Sequence, residues 1–147
     1  MKKGSILFLL VLSLLCVQRA VAADKAASCP ETPIVEADAP REDGVGPLSG
    51  TWHMNADRSI WALHQVWRAG IANKEPWIRP ARIQLVITGR RLDGTAPPLK
   101  ATVAGSYLTR FQATGMEFPV AGCWEVTGRA GNKELRFVTD VKPSHAH

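Results

Sequence analysis

The chain reads as an all-β protein, an immunoglobulin-like β-sandwich of about seven strands. Three observations carry that reading. Residues 118–128 and 135–138 form two alternating apolar runs around a Gly131-Asn132-Lys133 turn, as in a closing hairpin with Trp124 placed to plug the core. Ile83, Leu85 and Ile87 alternate with Gln84, Val86 and Thr88, and Leu99, Ala101 and Val103 alternate with Lys100 and Thr102, so each segment fits a strand with one wet face. The remaining body, residues 51–142, is the right size for one small sandwich and too short for two domains.

Taken in order, residues 1–22 have the layout of a secretory signal peptide. Lys2-Lys3 supply the basic start, residues 6–17 an apolar run, and Ala20 and Ala22 the small residues before cleavage; cleavage after Ala23 fits nearly as well. The apolar run is too short to span a bilayer comfortably, and no later segment is apolar enough to anchor the chain, so no transmembrane segment is expected after cleavage. Lipid attachment is not favoured: Leu15 precedes Cys16, and Asp24 and Lys25 separate Cys29 from the apolar run.

Residues 23–50 carry Pro30, Pro33, Pro40 and Pro47 among acids, alanines and glycines, without sustained apolar periodicity. Such a segment buries too little surface to offset its ordering entropy and is expected to be a disordered Pro/acidic-rich arm. Residues 59–68 are ambiguous. Asp57 suits a helix N-cap, Gly70 a stop, and Ile60, Leu63, Val66 and Trp67 would share a helical face. Strand is expected instead, because the neighbours on both sides are strand-like. Residues 89–98, with Asp93-Gly94 and Pro97-Pro98, break the chain as a turn should, while Leu135, Phe137 and Val141 line the last strand. Residues 143–147 are expected to be a flexible tail.

Three cysteines become two once the leader is removed with Cys16, and in an oxidising compartment Cys29 and Cys123 are expected to form a disulfide. In the closing strand Trp124 and Val126 share one face and Cys123 and Glu125 the other. With Trp124 in the core, the disulfide pins the arm across the outside of the sandwich.

The formal charge of +5 falls to +2 on cleavage, which removes Lys2, Lys3 and Arg19 and leaves 15 bases against 13 acids. Residues 23–50 hold six acids and two bases; residues 51–147 hold seven acids and 13 bases. An acidic arm beside a basic body either folds back onto it or remains a solvated linker.

Several motifs together resemble a group of uncharacterised bacterial secreted proteins: Trp77-Ile78-Arg79-Pro80, Gly89-Arg90-Arg91-Leu92-Asp93-Gly94, Ala96-Pro97-Pro98-Leu99, residues 111–115, Phe118-Pro119 and Gly122-Cys123-Trp124-Glu125-Val126. The Cys29-Pro30 start resembles the mature N-terminus of that group. The resemblance implies an immunoglobulin-like sandwich and an extracytoplasmic home, periplasmic or secreted. It implies no activity and carries over no catalytic residue. Residues 61–72 depart from the pattern.

The sequence holds no Gly-x-Ser-x-Gly elbow, His-Glu-x-x-His, phosphate loop or dinucleotide fingerprint. His53 or His64 with Asp57 and a serine would make a triad only if the fold oriented them. His145 and His147, or His53 with Met54 and Met116, supply metal-ligand types, but a solvated tail and core packing are the expected roles, and no cofactor is expected. Trp61, Trp67, Trp77, Arg90 and Arg91 form the candidate binding surface, since indole faces and guanidinium forks stack on sugars or grip anions; tryptophans that fill the core and arginines that solvate strand faces are the favoured reading. Specific nucleic-acid recognition is not expected. The reading favoured is a non-enzymatic module that recognises another envelope or extracellular protein through sheet edges and loops, with cell-wall or extracellular polysaccharide as the alternative ligand.

Overall fold

The computed structural model describes residues 28–41, 45–105 and 108–144. The leader expected over residues 1–22 and the end of the tail, His145 and His147, lie outside the described residues. Those residues form a β-sandwich of two antiparallel sheets, and no helix occurs among them. Nine strands are present rather than about seven: β1 (Val35–Asp38), β2 (Ser49–Met54), β3 (Trp61–Leu63), β4 (Asn73–Ile78), β5 (Leu85–Arg91), β6 (Lys100–Val103), β7 (Phe111–Glu117), β8 (Gly122–Ala130) and β9 (Lys133–Val141). The larger sheet runs β1-β2-β3-β4-β7-β6 and the smaller β5-β8-β9.

The best-patterned segments form the strands expected. In the β8–β9 hairpin Val126 lies opposite Phe137 and Gly128 opposite Leu135, with Gly131 at φ 60° in the turn. The main core between the sheets includes Trp67, Trp77, Phe118, Trp124 and Phe137, all essentially inaccessible to solvent. Residues 59–68 are strand only in part. Trp61 to Leu63 pair with β2 and β4, after which the chain leaves the ladder and returns through two isolated parallel bridges, Arg68 to Lys142 and Ala69 to Phe118.

Pro76 helps explain why the β3–β4 ladder is so short. Pairing stops at Ala62 opposite Trp77, where the next β4 residue toward the N-terminus is a proline with no N–H to donate. The start of β4 is held by Asn73. Its Nδ2 donates to the carbonyls of Arg68, Ile71 and Met116, and its Oδ1 accepts from the Arg68 N–H.

The arm expected to be disordered carries ordered structure. Cys29 is bonded to Cys123 on the outer face of β8, 94 residues away in sequence. The Thr32 N–H donates to the Val138 carbonyl, the Val138 N–H to Thr32 Oγ1, and the Asp140 N–H to Glu31 Oε1. Residues 29–32 therefore lie along the free edge of β9, and the chain then crosses to the other sheet as β1. Composition missed this because the ordering comes from a covalent tether and a sheet edge, neither of which requires a local apolar pattern.

A second, smaller core lies on the outer face of the larger sheet. Ala39 packs there with Trp52, Trp61 and Ile78, and the Trp52 Nε1–H donates to the Ala37 carbonyl.

Candidate functional site

The aromatic part of the candidate binding surface is not on the surface, in line with the core packing favoured for the tryptophans. Trp67 and Trp77 are fully buried in the main core and Trp61 is buried in the smaller one. Alternation places Trp61 and Trp77 on opposite faces of the larger sheet, and each face is covered at that point. Arg90 is exposed, as expected, and its Nε donates to Glu125 at 3.0 Å. Arg91 is held against Asp93 at 2.7 Å over Gly122, which at φ 133° leaves no room for a side chain beneath that pair. The two arginines support the end of β5 and do not form an open anion-binding fork.

The structure does bring His53 and His64 together. His53 Nε2 and His64 Nδ1 lie 3.3 Å apart, and the His53 ring stacks on Phe137 at 4.1 Å. Burial, followed by the neighbouring imidazole, lowers the His53 pKa from 6.5 to about 4. Asp57 does not complete a triad with them: it accepts from Ser59 and from Lys133. Met54 packs against the smaller core and Met116 lies in the main one. Among the described residues no group of three or more His, Cys, Asp or Glu side chains is placed to hold a metal.

Sequence reasoning overlooked Glu75, a carboxyl buried between the sheets. The Trp77 Nε1–H donates to its Oε1 at 2.5 Å, while Oε2 has no partner among the described residues. Burial raises its pKa well above the ordinary carboxylate value, and the Trp77 hydrogen bond only partly offsets this.

Two surface features remain. The first concerns the sheet edges. The β9 edge is covered from Val138 to Asp140 by Glu31 and Thr32, and β5 and β6 meet at a corner where the Leu99 N–H donates to the Gly89 carbonyl. The β1 edge has no strand beyond it among the described residues, and Ile34 and Val35 there are 42% and 45% exposed. The Thr51 carbonyl accepts from His64 on the β3 side, so by alternation Trp52 and its partner Val35 bond to each other and Glu36 directs its N–H and C=O outward.

The second feature is a groove of about 730 Å³ on the outer face of β4, β7 and β6. Leu48, Pro76, Ala104, Phe111 and Ala113 supply most of its apolar surface, and Lys74, Lys100 and Glu117 stand toward one end. Its position follows from a register that sequence alone does not reveal.

No family model matches the chain, and no curated protein matches it. Among solved structures the fold is similar to a crystal structure described as "Putative Lipoprotein from Bacillus anthracis", at 18% identity and a TM-score of 0.46, covering 76% of this chain and 85% of that one. No helix among the described residues is long and apolar enough to cross a membrane.

Proposed function

We propose that this chain is a periplasmic or secreted, non-enzymatic accessory module that recognises another envelope or extracellular protein by strand addition at the β1 edge. The observation that carries this reading is the uncovered edge itself. A row of outward N–H and C=O groups is a template for an added strand, and proteins usually cover or charge such edges. Here the β9 edge is covered over part of its length and β5 and β6 meet at a corner, while β1, four residues long and carrying Glu36 and Asp38, has no strand beyond it among the described residues and presents Ile34 and Val35. The extracytoplasmic home is supported by the Cys29–Cys123 disulfide, a bond that persists in oxidising compartments. Burial of Trp61, Trp67 and Trp77 removes the stacking platform that a polysaccharide ligand would need.

The test is crosslinking capture from the native envelope and culture fractions, comparing the mature protein with Glu36→Pro. Proline removes the outward N–H of Glu36 and leaves the bonds to β2 on the alternate residues in place. The expected result is a saturable partner lost in Glu36→Pro at unchanged melting temperature, with slowed exchange of the Glu36 amide in the wild-type complex. Equal capture by both proteins would refute edge recognition.

A further inference from the structure

The groove has a polarity along its length. The outward residues of β7 are Phe111, Ala113, Gly115 and Glu117; Ile78 lies opposite Phe111, Pro76 opposite Ala113, and Lys74 opposite Gly115. On the other side Thr102 faces Gly115 and Lys100 faces Glu117. The trough follows β7 for about 20 Å at ~3.4 Å per residue, and is about 10 Å wide across two strand spacings. One end carries two ammonium groups and one carboxylate. The other is apolar.

This trough continues the smaller core. Over β2 to β4 the same outer face is covered by the chain's own Ala39 and Leu48, and Leu48 also forms the near wall of the groove. From there to β6 the face is partly exposed and carries the groove.

The floor discriminates between kinds of occupant. The β7 backbone along it is engaged in the β4–β7 and β7–β6 ladders, and Thr102 supplies the one hydroxyl on the outward positions of its middle. A polypeptide lying face-down would lose amide hydrogen bonds to water without replacing them. A methylene chain has none to lose, and each buried CH₂ tightens binding about fourfold. An acyl chain occupies about 15 Å, half of a bilayer's hydrocarbon thickness, which suits the trough with a head group at its end. That end has a net positive charge. The Lys100–Glu117 pair, 3.5 Å apart and exposed, opens at little cost, and no carboxylate among the described residues pairs with Lys74.

We propose that the groove binds a single-chain anionic amphiphile, a long-chain fatty acid, with its carboxylate between Lys74 and Lys100 and its chain running over Gly115 and Ala113 toward Phe111. This site is separate from the β1 edge and does not depend on strand addition there.

The test is calorimetric titration of the mature protein with decanoate, laurate and myristate below their micellar concentrations, with dodecyltrimethylammonium as the cationic control. One laurate per chain is expected, with roughly 15-fold tighter binding for each two added methylenes and at least tenfold weaker binding of the cation. Gly115→Leu fills the trough; a Cβ there lies 4.0 Å from the Thr102 Cβ, in ordinary contact. It should abolish binding at unchanged melting temperature, and Ala113→Leu serves as a second block should the first not fold. Lys74→Glu with Lys100→Glu should reverse the charge preference. Glu36→Pro should bind laurate as the wild type does, so the two proposals fail separately. Absence of binding, equal binding of the cation, retained binding in the filled variants, or a dimer that the filled variants break apart would each overturn the assignment.

Discussion

At the residue scale, close approach of the two sheets is set by Gly128. A Cβ built at Gly128 would lie 2.3 Å from Trp77 Cζ3, so the indole occupies the space that any other residue would need. Trp77 cannot withdraw easily, since it is fully buried and its Nε1–H is committed to Glu75. Gly128→Ala is expected to destabilise the protein by about 1–3 kcal/mol through overpacking, read from urea denaturation midpoints at constant slope. An unchanged midpoint would show that the sheets separate freely at this point. Trp77 was recognisable in the sequence as a notable aromatic with core packing favoured over a binding surface, and its burial decides for the core; composition does not say which face of a strand is covered.

At the element scale, the strap of residues 29–32 converts a proline-rich segment into a sheet cover. Its disulfide closes a loop spanning 94 positions, and removing such a bond typically costs about 2–5 kcal/mol. Cys29→Ser with Cys123→Ser is expected to lower stability by that amount and to speed exchange of the Val138 and Asp140 amides, which donate to Thr32 and Glu31. Exchange that stays slow would mean the strap docks without its tether. The cysteine pairing was legible from the two cysteines left once the expected leader is removed. The strand that follows it was not, because Val35–Asp38 alternates over only four residues, too short a run to stand out from the proline-rich arm, and is ordered by pairing with β2.

At the scale of the whole molecule, two buried titratable groups tilt stability in opposite directions with pH. His53 titrates at about 4 in the folded protein against 6.5 when unfolded. Below pH 6.5 the unfolded chain therefore takes up a proton that the folded one refuses, and stability falls as pH drops toward 4, by up to about 3 kcal/mol. His53→Phe, which keeps a ring against Phe137, should flatten that slope in urea midpoints measured between pH 7 and pH 4.5. Glu75, with its pKa raised, holds its proton when folded and loses it when unfolded above 4.5. Its effect is to lower stability as pH rises, so Glu75→Gln should gain on the wild type between pH 5 and pH 8. A pH profile unchanged by either substitution would mean that water reaches these groups.

The sequence by itself determined the all-β class, the closing hairpin around Gly131, the Cys29–Cys123 pairing and the inward direction of Trp124. Each of these depends on local alternation, turn chemistry or cysteine number. Only the tertiary structure decided that Trp61, Trp67 and Trp77 are interior, that His53 meets His64, that the β1 edge is left open, and that Lys74 and Lys100 stand at one end of an apolar trough. Those features depend on strand order and register, which pair residues far apart in the chain. In a sheet the identity of a neighbour is set by long-range hydrogen bonding, and no period within one strand encodes it.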